Sequence, residues 1–270
     1  MTQPTRIYKH SSAGTDWAAL ILGGGLGLTL ALQLTTVRLS DFNTFYAVVV
    51  SISRLAALVG TYFAVVGIFL VARIPWVERG VGHDRLVTWH RKLGPWSLYL
   101  IGIHVLLITV GFAGQDSIPL YKELWQFLTL YEWMWFALAG FFLMIVAGVT
   151  SYKKARAKMS YETWWMVHVL TYFAMAASFM HQIVNGSMFV GHPLNRTYWI
   201  GLYVVMAVAI IYWRFWVPFY RSMKVNLKVE NLKMIPGDYQ VSISSKKISR
   251  FKASTSELVY YVAVEADSSF

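Results

Sequence analysis

The chain has 270 residues, of which 57% are hydrophobic, 16% aromatic and only 14% charged. Soluble domains carry about a quarter charged residues, so this composition excludes an ordinary cytosolic globule. There is no cysteine, which excludes disulfides, Cys-ligated zinc and cysteine-held iron–sulfur clusters within the chain.

Six predominantly apolar runs are long enough to cross a bilayer: 16–36, 45–72, 87–113, 131–151, 162–184 and 198–219. The first follows Arg6 and Lys9 and has no small-residue cleavage site, so it reads as a retained anchor, not a signal peptide. Its Gly23-Gly24-Gly25-Leu26-Gly27 segment predicts a small-residue face for close helix contact. The second run holds Arg54, the one fully charged residue deep in a span. In the third, Gly94-Pro95 predicts a kink between His90 and His104. The fifth carries His168 and His181, while His10, His83 and His192 read as solvated tail or loop residues. The connections 37–44, 114–130 and 185–197 are short, and the last holds two glycosylation-like triplets starting at Asn185 and Asn195.

Basic residues set the orientation. The N-terminal tail, the second and fourth connections and the end of the sixth span carry fourteen Lys or Arg, against three (Arg38, Lys122 and Arg196) on the other side. The positive-inside rule then places both termini in the cytoplasm. Most of the +11 net charge is thus topology and lipid-surface contact, with no nucleic-acid footprint. Short loops and the absence of a cleavable leader fit a bacterial plasma membrane.

Four histidines in membrane spans are costly and point to function. The third and fifth spans run in the same direction, so His90 and His168 share the inner half and His104 and His181 the outer half. The separations of fourteen and thirteen residues give roughly 21 and 20 Å along the axes, a spacing suited to two cofactors stacked across a membrane. Neutral imidazole is a good iron ligand, and a cysteine-free chain would hold haem non-covalently. Rotation treats the two pairs unequally. Fourteen residues return to within about 40° of the same face, but thirteen fall about 140° short, a difference left to helix crossing, rotamer or local tightening. A histidine-lined transporter, channel or proton relay competes with this reading, but such proteins ordinarily recruit intramembrane acids, and the spans have none centrally.

The third span, from Trp89 to His104, reads WHRKLGPWSLYLIGIH, and the fifth, from Tyr161 to His181, reads YETWWMVHVLTYFAMAASFMH. These segments resemble the two haem-binding helices of the ferric reductase and NADPH oxidase superfamily, including the uneven thirteen-residue spacing. The resemblance implies an all-α, six-helix membrane bundle over 16–224 holding two stacked b-type haems, after a cytoplasmic tail at 1–15. It implies iron ligation by His90 with His168 at the inner level and by His104 with His181 at the outer. It also implies that Arg54 pairs with propionates of the outer haem, and Arg91, beside His90, is positioned to serve those of the inner one.

The activity implied is oxidoreductase electron transfer from a cytoplasmic flavin and NAD(P)H donor to an outer acceptor, either a ferric chelate or oxygen giving superoxide. Within the same superfamily the alternative is a haem subunit relaying electrons to a periplasmic reductase, such as a methionine sulfoxide reductase. After Lys224 the composition changes. Tyr239, Val241 and Ile243 alternate with polar residues, and 258–264 is a strong β-former. This β-rich tail, 225–270, resembles the first strands of the family's FAD-binding barrel. It shows no flavin motif and no Gly-rich pyrophosphate loop, so either the sequence is a piece of a longer chain or a separate flavin reductase subunit supplies the electrons.

Overall fold

A computed structural model describes residues 12–225, 228–235 and 238–244. The chain divides into two units, residues 1–210 and 211–270. In the first, the helices are α1 (Ser12–Leu34), α2 (Phe45–Leu70), α3 (Pro75–Val81), α4 (His83–Gln115), α5 (Leu120–Leu130), α6 (Met134–Ser151), α7 (Lys153–Arg156), α8 (Tyr161–Asn185) and α9 (Pro193–Ala209). Among the described residues six helices are long and apolar enough to cross a membrane, and the protein is a multi-pass membrane protein. At the boundary Ile210–Trp216 is π-helical, and in the second unit it leads into α10 (Val217–Val225). Two strands follow, β1 (Lys228–Ile235) and β2 (Asp238–Ser244), paired antiparallel from Lys228 opposite Ser244 to Ile235 opposite Asp238, with an irregularity between Val229 and Asn231. Residues 258–264 lie outside the described residues.

The bundle is organised around α2, which holds more of the buried residues than any other helix described. Its antiparallel partner α4 lies close enough that the seam is built from small residues. A Cβ added at Gly60 would sit 2.9 Å from Leu100 Cβ and 3.2 Å from the Ile101 backbone nitrogen. In the same seam Ser97 donates its hydroxyl to the Gly60 carbonyl at 2.8 Å. With no hydrophobic drive between helices in lipid, such close packing and interhelical hydrogen bonding is what holds them together. The helix α6 packs on α8 in the same manner, Gly140 lying against the Ala174 carbonyl.

Several expectations change. The glycines of the 23–27 segment do not form a contact face: among the described residues an added Cβ at Gly23, Gly24 or Gly27 would meet nothing. Of the four only Gly25 approaches a neighbour, the Tyr62 ring of α2, while the close glycine contact of α1 is at Gly14 against Gly80 of α3. The helix α4 runs unbroken through Pro95 and begins at His83, earlier than the apolar run. His83 is therefore not a free loop histidine. Its Nδ1 lies 3.1 Å from Glu78 Oε1, itself 3.3 Å from Arg73 Nη1, which ties the turn between α2 and α4. Asn195 is buried and donates to the Leu32 and Met188 carbonyls, so its amide is structural and cannot accept a glycan.

The 114–130 connection is also more than a loop. Leu120, Glu123, Leu124, Phe127 and Leu130 recur at helical spacing, and α5 forms there with Glu123 and Phe127 buried. The Phe127 ring meets Phe112 of α4 edge-on, centroids 5.8 Å apart. Glu123 is 2% exposed, and its Oε2 has no hydrogen-bond partner. Burial first, and then the charge of Asp116, pushes its carboxyl above the usual carboxylate range.

Two outcomes test this packing. Gly60→Ala lowers the thermal midpoint of the detergent-solubilised protein, by an overpacking cost of about 1–3 kcal/mol. Gly24→Ala, facing open space, raises it through helix propensity worth about 1 kcal/mol. Glu123→Gln leaves stability unchanged below the ordinary carboxyl range and becomes increasingly stabilising as pH rises above it. The wild-type carboxyl holds its proton more tightly folded than unfolded, so wild-type stability falls with pH across that window, as thermal scans at stepped pH should show.

Candidate functional site

The two histidines of α4 face α2 because fourteen residues are two seven-residue repeats. On α4 the sequence places His90, Ser97 and His104 seven apart; on α2 it places Ser53, Gly60 and Gly67 seven apart. The two helices run antiparallel, so the two series meet as three rungs. His90 Nδ1–H donates to the Gly67 carbonyl at 2.8 Å, Ser97 donates to Gly60 at 2.8 Å, and His104 Nδ1 lies 2.9 Å from Ser53 Oγ. A seven-residue repeat keeps one face against its partner through a shallow left-handed crossing, which is why all three rungs form.

The hydrogen-bond pattern fixes the tautomers. A carbonyl only accepts, so Nδ1 of His90 carries the proton. At the third rung the Ser53 hydroxyl donates to the His104 carbonyl at 3.0 Å, so its oxygen accepts from His104 Nδ1–H, which also lies 3.2 Å from the Ser53 carbonyl. Ser53 is fully buried. In the neutral form of each ring the lone pair is then on Nε2.

The fifth-span histidines come from α8. His168 and His90 are brought together, ring centroids 5.9 Å apart and planes at 82°. His168 Nδ1 lies 3.1 Å from Ser151 Oγ at the end of α6, and Ser151 also accepts Trp164 Nε1–H at 3.2 Å. The Trp164 ring stacks on His168 at 5.1 Å and 21°, and the Arg156 guanidinium lies over Trp164 at 4.7 Å. His181 lies within electrostatic range of His104. Its Nδ1 is buried and, unlike those of the other three, makes no hydrogen bond of good geometry, the Ser178 backbone one turn earlier in α8 being its polar neighbour. The helix α8 is α-helical over its whole length, so no local tightening absorbs the awkward thirteen-residue spacing.

The arginines stand apart. Arg54 follows Ser53 on α2, is half-buried, and has Asp41 as its electrostatic neighbour. Arg91 is exposed. Neither forms a described bond to a histidine. Among the described residues no group of three or more His, Cys, Asp or Glu gathers to hold a metal ion.

Residues 56–179 match the family described as ferric reductase like transmembrane component. This stretch is ferric reductase like. The resemblance carried by the two histidine helices holds over that range, which includes His90, His104 and His168 and stops two residues short of His181. The family is one of membrane oxidoreductases that move electrons across the bilayer. No curated protein and no solved structure matches the chain.

Sequence reasoning missed Ser53, Ser97, Ser151 and Trp164. The first two carried a readable signal, the seven-residue offset from His90 and His104 in a span otherwise poor in polar groups. Trp164 carried a weaker one, its place four residues before His168 on the same helix, and Ser151 carried none, because it meets His168 from the end of α6. Ser53→Ala leaves the His104 carbonyl and Nδ1 short of a buried partner, and a loss of about 1–3 kcal/mol is expected by thermal unfolding in detergent; Ser40→Ala, in the exposed 3₁₀ turn before α2, should change stability little.

Proposed function

We propose that the chain carries electrons across the membrane through two b-type haems, one at each histidine pair. The observation that carries this is the 5.9 Å separation of the His90 and His168 rings, with Nδ1 of each engaged away from the partner ring. An imidazole–metal bond of about 2.0–2.1 Å, with the ring centre about 1.1 Å behind the nitrogen, sets two rings on one metal about 6.2 Å apart. Two histidines without a third protein donor suit an iron whose equatorial nitrogens come from a macrocycle, better than a bare ion.

The chain's own residues do the positioning. His90 and His168 hold the inner haem, His104 and His181 the outer. The Gly67 carbonyl and Ser53 lock ring orientation and tautomer, an arrangement that also makes the ligand nitrogen more basic. At the outer level Ser53 and the His181 Nδ1 are buried between the helices. Arg54, at the level of the Ser53 rung, pairs with outer haem propionates, and Arg91 with inner ones. Haem at these positions supplies one-electron iron chemistry. The donor is a cytoplasmic flavin reductase domain or subunit, fed by NAD(P)H, at the end of the bundle rich in Lys and Arg. The acceptor lies on the opposite side and is a ferric chelate or oxygen. The 225–270 tail is then the start of the donor's docking or flavin-binding module.

A dithionite-reduced minus oxidised spectrum of the purified protein, with haem per chain by pyridine haemochrome, tests the reading. Two b-type haems per chain are expected, falling to one or fewer in His104→Ala. Protein that carries no haem after growth with ample haem supply overturns it.

A further inference from the structure

Three of the four histidines are held through Nδ1, and on His168 an aromatic ring also stacks. The arrangement is layered. Trp164 stacks on His168 at 5.1 Å with planes 21° apart. The indole Nε1–H donates at 3.2 Å to Ser151 Oγ, the same oxygen that lies 3.1 Å from His168 Nδ1. Arg156 lies over the Trp164 ring, 4.7 Å from its centroid, and near the Tyr161 ring at 5.8 Å. Arg156 is itself tied down, Nη1 donating to the Met159 carbonyl at 3.1 Å. Stack, shared acceptor and cation bring together the end of α6, the loop after it and the first turns of α8.

We propose that Trp164 and Ser151 are positioning residues that fix the ring plane and tautomer of His168, and that Arg156, held over Trp164, raises the reduction potential of the inner haem. This rests on the bis-haem reading above. The physical argument has two parts. When His168 ligates through Nε2 its Nδ1 bears the proton, so Ser151 Oγ accepts from both Nδ1–H and Nε1–H, and one oxygen sets the angle between the two rings. A fixed cation about 10 Å from an iron stabilises the more negative, reduced state. At the effective dielectric of a protein boundary that is an interaction of the order of a tenfold change in an equilibrium constant. The same charge free in solvent would be screened and averaged. Raising the inner potential favours electron entry from a donor at this end.

The test uses the holoprotein and reads the low-spin haem EPR signals and the two midpoint potentials, the inner centre being the one lost in His90→Ala. Arg156→Gln is expected to shift the inner reduction equilibrium about tenfold toward oxidised, about 59 mV for one electron, with the outer centre unmoved. Lys158→Gln removes an equal charge from the same loop without a stack, and is expected to move the inner centre much less. Trp164→Leu should shift and broaden the inner EPR signal, while Trp164→Phe, which keeps the stack and loses the N–H donor, should fall between it and wild type. If Trp164→Leu fails to load haem, Trp164→Phe and Arg156→Gln decide by the same readouts. Two haems bound, with inner signal and potential unchanged in Arg156→Gln and Trp164→Phe, overturns the clamp and leaves the bis-haem reading standing. Wild-type protein without haem overturns the bis-haem reading itself.

Discussion

The antiparallel seam between α2 and α4 is the constraint on which the rest of the site depends. Three rungs, Gly67 with His90, Gly60 with Ser97 and Ser53 with His104, repeat every seven residues along about 20 Å of helix. Each rung needs the two backbones close, and Gly60 makes that approach feasible at the middle. Moving α4 by one residue against α2 would turn all three polar groups out of register together. In lipid there is no water to satisfy them, so register is enforced by the cost of orphaned polar groups.

The same seam explains how a helix can carry two ionisable rings through a membrane. Both have their Nδ1 proton accepted by α2, and α8 brings a histidine of its own close to each. The α8 side is built differently. Its histidines are thirteen residues apart, off the repeat, and no partner helix supplies a matching series. His168 is held by a serine at a helix end and an aromatic stack, and His181 Nδ1 by no hydrogen bond of good geometry. One wall of the site is thus preorganised by main-chain geometry and the other by side chains near the end of the bundle rich in Lys and Arg.

That asymmetry bears on electron flow. A centre whose ligand is clamped beside fixed positive charge and a centre whose ligands sit deep between apolar helices differ in environment even when their ligand sets are the same. The levers a protein has over a haem are ligand orientation, hydrogen bonding to the ligand, burial and nearby charge. On the two-haem proposal the inner level would draw on ligand orientation, hydrogen bonding and the Arg156 charge, and the outer on burial, the Ser53 rung and Arg54.

Length, hydropathy and the spacing of four histidines were enough by themselves to determine six spans, the pairing in depth and the family resemblance, because each is a property of one helix read along its own axis. Gly23–Gly27, Asn195 and the 114–130 connection were misread from local pattern. Whether glycines make a contact, whether an asparagine is exposed and whether a loop folds as α5 depend on what lies opposite. The rungs through Ser53 and Gly67, the stack of Trp164 on His168 and the burial of His181 Nδ1 were decided only by the tertiary structure. The two rungs join residues 51 and 23 positions apart on different helices, and no periodicity within one segment encodes a contact between two. The stack is an i,i+4 neighbour whose ring geometry, not its proximity, the tertiary structure sets.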